Sequence, residues 1–197
     1  MVEDQLVRRG VTDARVLAVM QRVPRHLFVE EALRDRAYGD HALPIGEEQT
    51  ISQPYIVALM TALLDLQGTE KVLEVGTGSG YSAAVLSLLC REVLTIERHV
   101  ALADQAQALL RELGRTNVEV RAADGTLGAP DRAPFGGISV TATAEGEPPR
   151  ALVDQLATGG TLVCPVRRAA GEHLIRVRDG QEQVLAAVRF VPLVSDE

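Results

Sequence analysis

A run of alternating glycines, Glu74-Val75-Gly76-Thr77-Gly78-Ser79-Gly80-Tyr81, stands between the apolar stretch Lys71-Val72-Leu73-Glu74-Val75 and a helical pattern that begins at Tyr81. A strand, a glycine turn and a helix in that order constrain the fold more than any other feature of the chain. Parallel sheets use such a turn where backbone must come close to a ligand, at the carboxyl ends of the strands and the start of the next helix. The pattern downstream agrees. After 71–75 as strand and 81–90 as helix, residues 92–97 read as strand, 100–113 as a helix closed by Gly114, and 117–121 as strand. Residues 138–142 follow as strand, 149–156 as a helix with Gly159-Gly160 beyond it, and 161–166 as strand. Strands and helices alternating at this length predict an α/β fold with a doubly wound, mostly parallel sheet. Residues 174–178 and 184–190, joined across Asp179-Gly180, predict a C-terminal antiparallel hairpin, because Asp-Gly suits a tight hairpin turn.

Ahead of the glycine turn, Ala14, Val16, Leu17 and Met20 fall at helical spacing, and a second short helix is expected over 28–33, after Val23-Pro24. Residues 38–53 carry no period but contain Gly39-Asp40, Pro44 and Gly46, so they read as a long ordered loop. A loop of that length inside a compact domain commonly serves function. Ser52 and Pro54 then open a helix whose apolar face is Tyr55, Ile56, Leu59, Met60, Leu63 and Leu64. With 197 residues, 46% of them hydrophobic, the chain is expected to form one domain, residues 1–53 being an extension of N-terminal helices and loop over the active site.

Composition narrows the partners. Twenty Lys and Arg against 27 Asp and Glu give a net charge of −7, which disfavours a nucleic-acid backbone or an anionic membrane surface. Aromatics at 3%, with no Trp, leave no stacking platform for single strands. Cys90 and Cys164 lie far apart in apolar stretches and are expected as buried, reduced thiols. The stretch from Met1 to Arg9 lacks the apolar core of a signal peptide, and no run is long enough to span a membrane, so a cytoplasmic location is expected. His26, His41, His99 and His173 form no ligand spacing, and no metal is expected.

The glycine loop alone indicates only nucleotide-like binding, and its neighbours choose among ligands. Tyr81 stands where the dinucleotide fingerprint needs its last glycine, and the Gly-Lys-Ser/Thr ending of a phosphate loop is absent. Glu74, just before the loop, is a poor neighbour for pyrophosphate but suits S-adenosylmethionine, whose amino and sulfonium groups are cationic. Glu97 ends the next strand, where a carboxylate can accept both hydroxyls of a ribose. Asp124-Gly125 follows the third strand, where a carboxylate can meet an adenine amine while glycine leaves room for the ring. Acids at successive strand ends around one glycine turn predict a Rossmann-like, class I methyltransferase that binds S-adenosylmethionine and releases S-adenosylhomocysteine.

More of the chain carries a closer likeness. Arg22-Val23-Pro24-Arg25-His26-Leu27-Phe28-Val29, Leu43-Pro44-Ile45-Gly46, Gln49-Thr50-Ile51-Ser52-Gln53-Pro54-Tyr55, the glycine loop, Asp124-Gly125-Thr126-Leu127-Gly128 and Val188-Arg189-Phe190-Val191-Pro192-Leu193 together resemble the protein-L-isoaspartate methyltransferase family. The resemblance implies methylation of the free α-carboxyl of isoaspartyl residues in damaged proteins and peptides, starting repair through a succinimide, by a monomer. It implies that Ser52 is the active-site serine and that Thr50 and Ile51 form the strip holding the isoaspartyl segment, with Val191 and Leu193 on the peptide side. Gly76, Thr77, Gly78, Ser79, Glu74, Glu97, Asp124 and Gly125 would hold the donor. Read without the resemblance, Ser52 is a helix cap. The chain departs from the family at Phe135-Gly136-Gly137-Ile138-Ser139, where Gly136 replaces an expected Asp, Ser139 replaces an apolar residue, and the paired glycines should weaken the strand's start. Two rival readings stay open: the same fold acting on another peptide or small carboxylate, and a catalytically silent adenosylmethionine-binding module.

Overall fold

The computed structural model describes residues 1–195. Short helical turns lead into helix α1 (Ala14–Arg22), whose start is fixed by Asp13, its side chain accepting from the backbone N–H groups of Arg15 and Val16. The helix expected over 28–33 is instead a pair of 3₁₀ turns, Arg25–Phe28 and Glu31–Arg36. The segment expected as loop holds an antiparallel ladder, β1 (Leu43–Gly46) against β2 (Gln49–Ile51), with Leu43 opposite Ile51 and Pro44 opposite Thr50. The turn between them puts Glu47 and Glu48 at φ of 49° and 56°. Helix α2 (Pro54–Leu63) follows directly, so the ladder and the helix hold Ser52 between them.

The main sheet starts with β3 (Lys71–Val75), then α3 (Tyr81–Leu86), β4 (Glu92–Glu97), α4 (Val100–Glu112) and β5 (Val118–Ala122). It continues through β6 (Phe135–Val140), the two-residue β7 (Ala144–Glu145), α5 (Arg150–Val153), β8 (Leu156–Arg168), β9 (Gly171–Arg178) and β10 (Gln181–Ala187). Strand order is β10-β9-β8-β6-β3-β4-β5, with β7 beside β8. The links β8–β6–β3–β4–β5 are parallel, and β8–β9–β10 close the sheet antiparallel, as the hairpin reading expects. The chain winds from β3 outward to β5 and then crosses back to β6 on the other side of β3. That reversal opens a crevice at the carboxyl end of β3, where doubly wound sheets bind ligands.

Alternation along each strand sends neighbours to opposite faces. Val72 and Val93 pack under α2, α3 and the N-terminal turns, whereas Leu73, Val75, Leu94 and Ile96 pack with Phe135, Leu152 and the hairpin. The N-terminal extension docks through Tyr81 at the head of α3: its ring meets Phe28 edge-on at 5.4 Å between centroids and carries the Arg25 guanidinium 4.8 Å above it. Cys90 and Cys164 are buried free thiols, each pushed up to about 12 by burial.

Several boundaries differ from expectation. Strand β6 starts at Phe135 and runs through Gly136 and Gly137, with one register shift against β8. A Cβ at 136 would lie 2.8 Å from Cγ of Glu70, whose carboxylate accepts from the N–H groups of Gln67 and Gly68. Glycine leaves Glu70 that room, and an acid there would face another acid. Helix α3 is shorter than 81–90, the helix expected over 149–156 shrinks to α5, and β8 begins at Leu156 because its first residues pair with Phe135. The last strand ends at Ala187, not Phe190.

Candidate active site

The crevice holds a cavity lined by the glycine loop, the end of β4, Gly125, residues 49–52 and residues 191–194. Four of the loop's own amides are committed. Gly76 and Thr77 donate to Ile96 O (2.8 and 3.3 Å), Gly78 to Glu97 Oε2 (2.9 Å) and Gly80 to Thr77 O (2.9 Å). A phosphate would find the amides of Gly76, Thr77, Gly78 and Gly80 already engaged and would meet a carboxylate instead, so the loop fits a cationic, phosphate-free ligand. Glu97 is 5% exposed and also accepts from His99 N at 3.0 Å. Each of its oxygens keeps a lone pair for a further donor such as a ribose hydroxyl. Gly125 lines the same cavity, and a Cβ there would come 2.6 Å from Val75 Cγ1, so its backbone lies where a flat ring needs room.

The other donor-side acids sit differently. Glu74 is fully buried beneath the loop and does not line the cavity. It accepts from Thr95 Oγ1 at 2.7 Å, and Thr95 Oγ1 lies 2.6 Å from Thr77 Oγ1, which makes a hydroxyl relay from Glu74 up to the loop. Burial pushes the Glu74 carboxyl up to about 7, with hydrogen bonds from Ser82 and Thr95 pulling it down and nearby Glu97 pushing it up. Asp124 stands beside Gly125, its Oδ1 accepting from Thr126 N at 2.8 Å. Ser79 lines the cavity, and its Oγ accepts from Tyr81 N at 3.4 Å.

Opposite the loop, the ladder and the C-terminal segment make the second wall. Thr50, Ser52, Thr141 and Val191 line both this cavity and a second one that runs past Arg9, Tyr55 and residues 186–190. Ile51 and Leu193 line the first alone. Residues 191–193 are held by exchange with Thr143, whose N–H donates to Val191 O and whose carbonyl accepts from Leu193 N, both at 2.8 Å. Ser52 does not cap α2: the cap position is Gln53, with no side-chain cap bond. Among the described residues the Ser52 hydroxyl has no hydrogen-bond partner, and it is partly buried. The cap reading is therefore corrected, because the ladder draws Ser52 away from the first turn of the helix.

Three site residues escaped sequence reading. Ser82 lines the cavity one residue past the loop, and Thr141 lines both cavities. Glu172, on β9, accepts from Thr143 Oγ1 and from Phe190 N, both at 2.6 Å, and so anchors the segment that carries Val191 and Leu193. Local pattern marks none of the three, since Thr141 falls inside the strand expected over 138–142, whereas β6 ends at Val140. No group of His, Cys, Asp and Glu among the described residues could hold a metal, and no described helix is long and apolar enough to cross a membrane.

A doubly wound sheet with a reversal beside β3, and a glycine loop whose amides face carbonyls and a carboxylate, defines a class I, S-adenosylmethionine-dependent methyltransferase. The model of the protein-L-isoaspartate(D-aspartate) O-methyltransferase family matches residues 1–197, and the chain belongs to that family. It is 58% identical to protein-L-isoaspartate O-methyltransferase 1 of Syntrophobacter fumaroxidans, over 98% of this chain and 92% of that one. Identity to the protein-L-isoaspartate O-methyltransferase of Trichlorobacter lovleyi is 52%, over 100% of this chain and 93% of the relative. A crystal structure of a Plasmodium falciparum protein assigned to the same family, in complex with S-adenosyl-L-homocysteine, superposes with a TM-score of 0.84 at 25% identity, covering 98% of this chain and 96% of that one. The resemblance drawn from the sequence motifs holds over the whole chain.

Proposed function

We propose that the chain methylates the free α-carboxylate of L-isoaspartyl residues in damaged proteins and peptides, with Ser52 orienting that carboxylate. S-adenosylmethionine supplies an electrophilic methyl group on a cationic sulfur. Everything else asked of the site is placement, because a carboxylate is already ionised at neutral pH and needs no general base. Gly76, Thr77, Gly78, Ser79, Glu97, Asp124 and Gly125 hold the donor, and Glu74 supports the loop from below. Thr50, Ile51, Val191 and Leu193 take the peptide. The neighbouring backbone nitrogen attacks the ester formed and expels methanol, giving a succinimide whose hydrolysis returns some normal aspartate without help from the enzyme. The same reading takes residues 1–197 as one domain, with 1–53 covering the site, acting as a cytoplasmic monomer on peptides and not on nucleic acid or membrane.

The observation that carries the reading is the Ser52 hydroxyl, which lacks a protein partner among the described residues on a wall shared by two cavities. One cavity has the character of a cationic donor site, and the other is lined by residues 186–190 beside it. Two peptides that differ only in an Asp or isoAsp linkage test it. Incubated with the protein and donor and weighed by mass spectrometry, the isoAsp peptide should gain a base-labile methyl group and the Asp peptide none. Equal methylation of both, or of neither, would overturn the proposal.

A further inference from the structure

Thr141 stands one residue past β6, where the two cavities meet. Its N–H donates to Val75 O at 2.9 Å, which extends the pairing of β6 with β3 beyond the strand. Its hydroxyl oxygen lies 2.6 Å from Gly76 O and 3.1 Å from Val75 O. A hydroxyl has a single proton to give, so this one is committed to the loop backbone, and Oγ1 offers its surroundings only lone pairs. The loop is shaped around that oxygen. Gly76 sits at φ +93°, and a Cβ added there would come 2.3 Å from Thr141 Oγ1.

Ser52 and Thr141 thus bring hydroxyls of opposite character to one wall. The Ser52 proton has no protein acceptor among the described residues and suits an anionic carboxylate. An oxygen that shows only lone pairs would repel a carboxylate and favours the cationic side of the transfer. We propose that Thr141 is a positioning residue for methyl transfer: its hydroxyl latches the Gly76 carbonyl and holds the donor loop in register with the Ser52 wall. The inference rests on the donor-site reading above.

Thr141→Val keeps the branched shape and removes the hydroxyl, and Thr141→Ser keeps the hydroxyl. Calorimetry with S-adenosylhomocysteine and kinetics with an isoaspartyl peptide, normalised to folded protein, compare both with wild type. Thr141→Val should raise the donor KM and the S-adenosylhomocysteine Kd about tenfold, the effect of one well-made hydrogen bond, and leave the peptide KM within about twofold. Thr141→Ser should stay within about twofold of wild type on every constant. Donor constants unchanged in Thr141→Val, or Thr141→Ser failing as badly, would overturn the proposal. So would a lowered melting temperature with normal constants. If Thr141→Val does not fold, Thr141→Ala is judged by the same outcomes. Failure of the donor-site reading looks different, because wild type itself would then bind no S-adenosylhomocysteine.

Discussion

Around the glycine loop most polar groups are already bonded to protein, whereas on the wall opposite the Ser52 hydroxyl has no partner among the described residues. Gly76, Thr77 and Gly78 give their amide protons to Ile96 and Glu97, the Glu97 carboxylate also takes His99 N, and Thr77 reaches Glu74 through Thr95. Across the cavity Ser52 has no such partner among the described residues, and residues 191–193 are held through their backbone by Thr143. The contrast separates two tasks. A donor with a fixed shape is met by a frame whose own bonds set its geometry before binding, at no reorganisation cost. Damaged peptides differ in side chains but share one carboxylate, and on the proposed reading that carboxylate completes the Ser52 hydroxyl. Substitutions on the donor side should therefore change donor affinity, and substitutions on the peptide side should change turnover.

Filling the donor frame should do the most damage. Gly125→Leu places a side chain where even a Cβ would come 2.6 Å from Val75 Cγ1. Affinity for S-adenosylhomocysteine, measured by calorimetry, should fall about 100-fold, the upper end of what overpacking a tight site costs. Wild-type affinity would mean that the ring does not lie against Gly125.

Glu97→Ala should come next. Donor binding should weaken by roughly 1.5–3 kcal/mol, the range for hydrogen bonds to a charged group, because ribose hydroxyls and the N–H groups of Gly78 and His99 lose one acceptor together. The peptide KM at saturating donor should not move, and a change confined to the peptide KM would blur the division between the walls.

Glu74 offers a smaller, pH-dependent test of the frame. Its folded-state pKa is raised from 4.5 to about 7, so the folded state binds more protons than the unfolded state between those values. Stability then falls as pH rises through that window and levels off above it. Glu74→Gln cannot ionise. Its melting temperature relative to wild type should rise from pH 4.5 to about 7, by no more than the equivalent of about 3 kcal/mol, and stay constant at higher pH. A difference that does not vary with pH would place the Glu74 pKa near its ordinary value.

The donor frame was also the more legible half in sequence. Strands β3 and β4 are buried along nearly their whole length because parallel strands are covered on both faces, and their ends carry the glycine loop and Glu97 within a short stretch of chain. The peptide wall is assembled from places far apart in the chain, and local pattern says little about it. Strands β1 and β2 have four and three residues, with Pro44 and Gly46 inside, too short and interrupted for period-two alternation to register. Thr141 and Glu172 act through bonds to Gly76, Thr143 and Phe190 that exist only once the sheet is formed. The early starts of β6 and β8 have the same origin: Phe135 and Leu156 pair with each other across strands, which gives strand geometry to residues whose neighbours Gly136, Gly159 and Gly160 read as breaks. The resemblance singles out Ser52 through its motif, whereas its local signal points to a helix cap, and the ladder moves it off that position.

Ser52→Ala tests the division of the two walls most directly, with donor affinity and turnover measured on the same folded protein. Removing the hydroxyl should leave the Kd for S-adenosylhomocysteine near wild type while kcat and kcat/KM for an isoaspartyl peptide fall together by about 10- to 100-fold, as expected for one hydrogen bond to an anion made chiefly in the transition state. Ser52→Thr serves as control, since it keeps the hydroxyl and adds one methyl group. Full turnover per folded molecule in Ser52→Ala, or a loss of donor affinity that accounts for the whole effect, would contradict the account.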